Sequence, residues 1–125
     1  MSIASEPVLP RAARAEQPGM HRIGSAGDVP LLEGRSVTVA GRRVAVFRTA
    51  DGYHAIDAAC PHLGGPLADG LVADSCVTCP LHGRRFDLRT GAGLGDHAGV
   101  TAHEVIERDG ELWLRVTADE LGRAA

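Results

Sequence analysis

Two short loops carry the residues best suited to chemistry: Cys60-Pro61-His62 and Cys79-Pro80-Leu81-His82. As a pattern this is C-x-H, then residues 63–78, then C-x-x-H. Each loop supplies one thiolate and one imidazole, a donor set that suits zinc or an iron–sulfur centre. Structural zinc loops usually pair like with like. Here each loop pairs unlike ligands, and Cys60 and His62 stand only two positions apart. That spacing makes sense if the two ligands of one loop go to two metal ions held close together. A [2Fe–2S] rhomb provides this, one iron taking both cysteines and the other both histidines. A zinc-stabilised binding module is the alternative from another class. Colour separates them, since the cluster is reddish-brown and zinc colourless.

These loops need a frame, and the sequence offers strands. At 125 residues the chain fits one domain with a single core. Sixteen glycines and seven prolines favour short strands and many turns over long helices. A first strand is expected at 21–23. Runs 36–39 and 44–47 flank Ala40-Gly41-Arg42-Arg43 as a hairpin, and Asp51-Gly52 joins 44–48 to 53–57 as a second. Pro61, Gly64, Gly65, Pro66, Gly70 and Pro80 then break any regular ladder, leaving short strands at 71–72 and 75–78. Strand signal returns at 85–88. A glycine-rich loop follows at 91–99, and then a hairpin of 101–107 and 112–116 around Asp109-Gly110. The fold class expected is all-β. An antiparallel sandwich or partial barrel comes from 20–57 and 84–117, with a loop-rich ligand-bearing subdomain at about 58–83. Residues 1–19 read as a flexible tail and 118–125 as a short C-terminal tail, where Thr117 and Glu120 could cap a brief helix.

Composition excludes several classes. The net charge is −3, with 13 Lys+Arg against 16 Asp+Glu, so nucleic acid is not an expected partner. No apolar run approaches the ~20 residues that span a bilayer, and the first residues lack a signal-peptide core. Three cysteines, two of them in ligand spacing, argue against a disulfide framework and for a reducing cytoplasm.

The two boxes, Cys60-Pro-His-Leu-Gly-Gly65 and Cys79-Pro-Leu-His-Gly83, resemble those of the Rieske family, and the likeness covers about residues 20–117. The resemblance implies that Cys60 and Cys79 bind one iron. It implies that His62 and His82 bind the other through Nδ1, with Nε2 facing solvent at the tip. Around these ligands, Leu63, Gly64, Gly65, Pro80, Leu81 and Gly83 form the expected supporting shell. Glycines let backbone N–H groups approach the sulfurs, while Pro61, Pro66 and Pro80 stiffen the loops. With all four ligand positions filled by protein, no site is open to substrate, which points to electron transfer rather than catalysis by this chain alone. Exposed histidine ligands would also make the potential fall with pH in the alkaline range.

The high-potential respiratory branch has three features that this chain departs from. The positions of its clamping disulfide are Gly65 and Leu81. Its sulfur-bonding serine is Arg84, and its cysteine-bonding tyrosine is Phe86. A potential at the low end of the Rieske range, roughly −150 to +300 mV, is therefore expected. That branch's membrane anchor is also not seen.

Two soluble branches fit. The run Gly83-Arg-Arg-Phe-Asp-Leu-Arg-Thr-Gly91 is similar to the small subunit of assimilatory NAD(P)H-dependent nitrite reductase, whose large subunit holds flavin, sirohaem and the nitrite site. That is the preferred branch, although many of its members have lost ligands that this chain keeps. The alternative is the ferredoxin of aromatic-ring dioxygenases, with a flavin reductase and a terminal oxygenase as partners. Arg84 and Arg85 could form a positive docking edge. Cys76 reads as a small packed thiol. His21, His54, His97 and His103 read as surface or packing histidines, and Trp113 as core. Asp69, Asp74 and Asp96 read as turn residues.

Overall fold

The computed structural model describes residues 20–61, 64–81 and 83–117. Among the described residues nine strands follow in order: β1 (Met20–Ser25), β2 (Gly34–Val39), β3 (Arg42–Thr49), β4 (Gly52–Asp57), β5 (Leu71–Ala73), β6 (Cys76–Thr78), β7 (Arg85–Asp87), β8 (Ala102–Arg108) and β9 (Glu111–Arg115). Single 3₁₀ turns lie at Ala26–Asp28 and Leu67–Asp69. The final helix suggested by Thr117 and Glu120 falls outside the described residues.

β1, β9, β8, β4, β3 and β2 form one antiparallel sheet in that order. Its edge strands β1 and β2 also touch, so the sheet nearly closes on itself. β5, β6 and β7 form a separate three-stranded sheet. The partial-barrel form of the expected base is the one adopted. One boundary differs from expectation. Arg85–Asp87, placed with the base by its position after the second loop, pairs with β6 in the small sheet. The pairing follows from chain reversal at the loop, which brings Arg85 opposite Thr78.

Three hairpins turn on two residues with φ above zero at both: Ala40-Gly41 (53°, 79°), Asp74-Ser75 (53°, 61°) and Asp109-Gly110 (57°, 79°). Such turns match the twist of the flanking strands. Arg42 and Arg43, expected in the first turn, belong to β3.

β3 is apolar on both sides, and its period of two divides the core. Val44 and Val46 join Val29, Val39, Ala55, Leu112 and Leu114 inside the large sheet. Ala45 and Phe47 point the other way and meet Ile56, Leu67, Val72, Val77, Phe86 and Leu88 between the two sheets. Cys60 and Cys79 belong to this second core. The ligand loops therefore grow out of the layer that joins the subdomain to its base.

Candidate metal centre

Each cysteine begins a loop, and the two loops share one backbone design. In the first, the Cys60 N–H donates to Gly65 O (2.9 Å) and the Gly64 N–H donates to Cys60 O (2.7 Å). In the second, the Cys79 N–H donates to Arg84 O (2.7 Å) and the Gly83 N–H donates to Cys79 O (3.0 Å). The spacings match, from i to i+5 and from i+4 back to i. Outside each loop the flanking residues also pair alike, Ala59 with Pro66 and Thr78 with Arg85. Gly64 and Gly83 sit at the same step with φ of 73° and 75°, a region that costs any residue with a Cβ. Proline follows the cysteine in both loops, where no N–H is called on. The sequence thus builds one turn twice, and its histidines occupy the third position in one copy and the fourth in the other.

The loops pack tip against base. A Cβ on Gly65 would lie 2.7 Å from Cys79 Sγ and 3.1 Å from both Cγ and Cδ1 of Leu81. The second loop's sulfur therefore rests against the backbone of the first. Cys60 and Cys79 are unpaired and only 3% and 2% exposed. Two free thiols buried at equivalent points of facing loops are suited to share one iron, and the cradle left by Gly65 admits the sulfur that would ligate it. His62, Leu63 and His82 lie outside the described residues. Of the expected shell, Gly65 is buried, while Gly64, Pro80, Leu81 and Gly83 are exposed, Leu81 to 51%. Cys76 is half-buried on β6, with Val77 and Cys79 buried at alternate positions. This puts Cys76 on the face opposite Cys79.

The two arginines part company. Arg85 is exposed on β7, whereas Arg84 is half-buried with a buried Nε. Phe86 is fully buried, and His97 packs on it edge to face with ring centroids 5.0 Å apart.

The first loop is anchored by a polar group that sequence reading did not bring together. His103 Nε2 lies 2.8 Å from Asp57 Oδ1, and the His103 side chain is fully buried. The Thr117 N–H donates to His103 Nδ1 (2.9 Å), so Nε2 carries the ring proton and donates to Asp57. Arg42 donates to the same carboxylate through Nε and Nη2, and the Thr101 N–H completes the set. Burial alone would raise the Asp57 pKa. The His103 and Thr101 hydrogen bonds and the Arg42 charge outweigh it, leaving the carboxyl below its ordinary value. Asp57 closes β4 three residues before Cys60, so this network fixes where the first loop departs.

Residues 19–104 match the model of the Rieske [2Fe–2S] domain. With this fold and these two loops, the chain belongs to the Rieske [2Fe–2S] family. Its cofactor is one Rieske-type [2Fe–2S] cluster, and the family decides against zinc. The carbazole 1,9a-dioxygenase ferredoxin of Nocardioides aromaticivorans superposes with a TM-score of 0.72 at 29% identity, over 78% of this chain and 98% of that one. A protein named as a nitrite reductase NADPH small subunit gives 0.71 at 25%, over 76% and 96%. The cholesterol 7-desaturase nvd 1 of Ciona intestinalis is 51% identical over 55 residues, 42% of this chain and 12% of that protein. The chain spans between 11% and 51% of the length of the curated relatives it matches. Among the described residues no helix is long and apolar enough to cross a membrane.

Proposed function

We propose that the chain is a one-electron carrier serving a separate oxidoreductase, with Cys60, His62, Cys79 and His82 as the cluster ligands. The observation that carries this is the paired loop: two equivalent turns each bury one free thiol and leave Pro61, Gly64, Pro80 and Leu81 exposed. When bound, the cluster accepts and returns single electrons. The chain's own residues fix the loops, keep water from the sulfurs and offer a partner the surface of Leu81 and Arg85. We assign that partner to the large flavin and sirohaem subunit of an NAD(P)H-dependent nitrite reductase, acting in the cytoplasm in nitrate assimilation. The run 83–91 and the likeness in fold to a nitrite reductase small subunit support this reading.

A second reading, a ferredoxin feeding a terminal oxygenase, is favoured by the 29% identity over nearly the whole carbazole dioxygenase ferredoxin. Gentle anaerobic purification of the chain from its own cells tests both. Co-purification of a sirohaem- and flavin-containing subunit with nitrite-dependent NAD(P)H oxidation supports the first. A mononuclear-iron oxygenase or a lone flavin reductase, without nitrite activity, replaces it with the second.

A further inference from the structure

Two buried nitrogens near the loops have no protein partner among the described residues: Arg84 Nε and His97 Nε2. Arg84, His97, Pro61 and Ala98 line one pocket of about 160 Å³. Three segments meet there: the first ligand loop, the residue closing the second, and the connection between β7 and β8. The two nitrogens are opposite in kind. Arg84 Nε bears a hydrogen and can only donate. His97 Nδ1 lies 2.9 Å from the Ala98 carbonyl, which can only accept. The ring proton therefore sits on Nδ1, and Nε2 is an acceptor. The Phe86 contact holds the ring in this position.

Buried polar atoms are rarely left unmatched, and where no side chain reaches them an ordered water does. The pocket has ample room for water, which needs only about 10–15 Å³ of such space. An anion would satisfy Arg84 but face the lone pair of His97. Water serves both.

We infer that Arg84 and His97 are joined by an ordered water, accepting from Arg84 Nε and donating to His97 Nε2, which makes His97 a positioning residue for the Arg84 guanidinium beside the cysteine loops. Reduction adds one negative charge to the cluster, so a cation held there favours the reduced form. The inference rests on the cluster but not on either choice of partner.

The test is the midpoint potential of the cluster-loaded protein in Arg84→Met, His97→Phe and the double variant. Phenylalanine keeps the packing on Phe86 and removes the acceptor. Both single variants are expected to move the midpoint to more negative values, and the double variant no further than Arg84→Met alone. An unmoved midpoint in His97→Phe, or shifts that add in the double variant, overturns the inference. A crystal structure of the unmodified loaded protein gives a check that needs no variant. One water within hydrogen-bond distance of both nitrogens is expected, whereas direct contact between Arg84 and His97, or a dry pocket, overturns it.

Discussion

Gly65 faces Cys79 so closely that its missing side chain is part of the site: a Cβ there would stand 2.7 Å from Cys79 Sγ. Leu81 lies at 3.1 Å from the same point. The two positions where the respiratory branch carries its disulfide are therefore neighbours here as well. The contact is filled by a glycine and a leucine.

Gly65→Ala should separate the loops. Overpacking of this kind costs typically 1–3 kcal/mol. The sulfur cannot retreat far, since Cys79 is held by two backbone hydrogen bonds of its loop. The expected outcome is a folded protein with less than about half the iron and sulfide of the parent and a weakened visible spectrum. Iron analysis with far-ultraviolet circular dichroism checks it. Full cluster content in the variant would show that the loops have more room than the contact implies.

Much of this was legible in the sequence, and the rest was hidden for identifiable reasons. The two loops could be placed because their glycines and prolines break the strand pattern on either side of them. Asp109-Gly110 announced its hairpin and Asp74 reads as a turn residue, but Ser75, expected to open the next strand, shares the turn at positive φ although it is not glycine. Arg85–Asp87 pairs in the small sheet and not in the base where its place in the sequence puts it, because strand pattern names a strand and not its partner. The pairing of Asp57 with His103 spans 46 positions and leaves no local trace. The same holds for His97, whose meeting with Phe86 depends on how the 91–99 loop folds back, with the Leu94 N–H donating to Arg85 O.

The Asp57 network predicts an acid limit to stability. Its carboxyl titrates below the ordinary value in the folded chain, so the unfolded chain takes up the proton first as pH falls. The stabilisation is fully present above the unfolded value of about 3.9 and is lost as pH falls through the folded one. Asp57→Asn keeps the shape and removes the charge facing Arg42 and His103. A loss of about 2 kcal/mol at pH 7 is expected, in line with hydrogen bonds to charged groups. Urea unfolding between pH 7 and pH 3 should also show a flatter profile in the variant. An equal acid slope in both proteins would remove Asp57 from the account.

His54 acts earlier in the same direction. Burial lowers its pKa; Asp51 and Asp87 pull it up and Arg89 pushes it down, with a net lowering. The unfolded histidine binds a proton below about 6.5 while the folded one resists. Stability is therefore complete above that value, declines as pH falls toward the folded pKa, and stops declining below it. Ser75 also donates to Asp51 (3.2 Å), tying the β5–β6 turn to the β3–β4 turn beside this histidine. His54→Gln should flatten the unfolding profile between about pH 7 and pH 5 relative to the parent. An unchanged profile would point to another buried base.

Phe86 sets an expectation for the potential. It is fully buried opposite Val77 and carries no hydroxyl. A midpoint in the lower half of the roughly −150 to +300 mV range is expected. Phe86→Tyr should raise it if the added hydroxyl reaches a cysteine sulfur, because that hydrogen bond favours the more negative reduced cluster. Direct electrochemistry of both proteins decides. A parent midpoint above about +150 mV, in the upper half of that range, would count against the absence of hydroxyls as the controlling feature.

Arg85 offers the test of how a partner approaches. It is exposed on β7, one residue from the buried Arg84 Nε, and the exposed Leu81 lies in the loop that β7 closes. An exposed charge at a docking rim mainly sets the encounter rate, and salt screens it over about 10 Å at 0.1 M. Arg85→Glu should leave the cluster and its potential intact and slow electron transfer to the partner about tenfold at low salt. The difference should shrink as salt rises, because screening weakens attraction in the parent and repulsion in the variant alike. Stopped-flow reduction or oxidation against the co-purified partner follows this directly. Equal rates at low salt would move the docking surface away from β7, leaving the apolar tip at Leu81 as the point of contact.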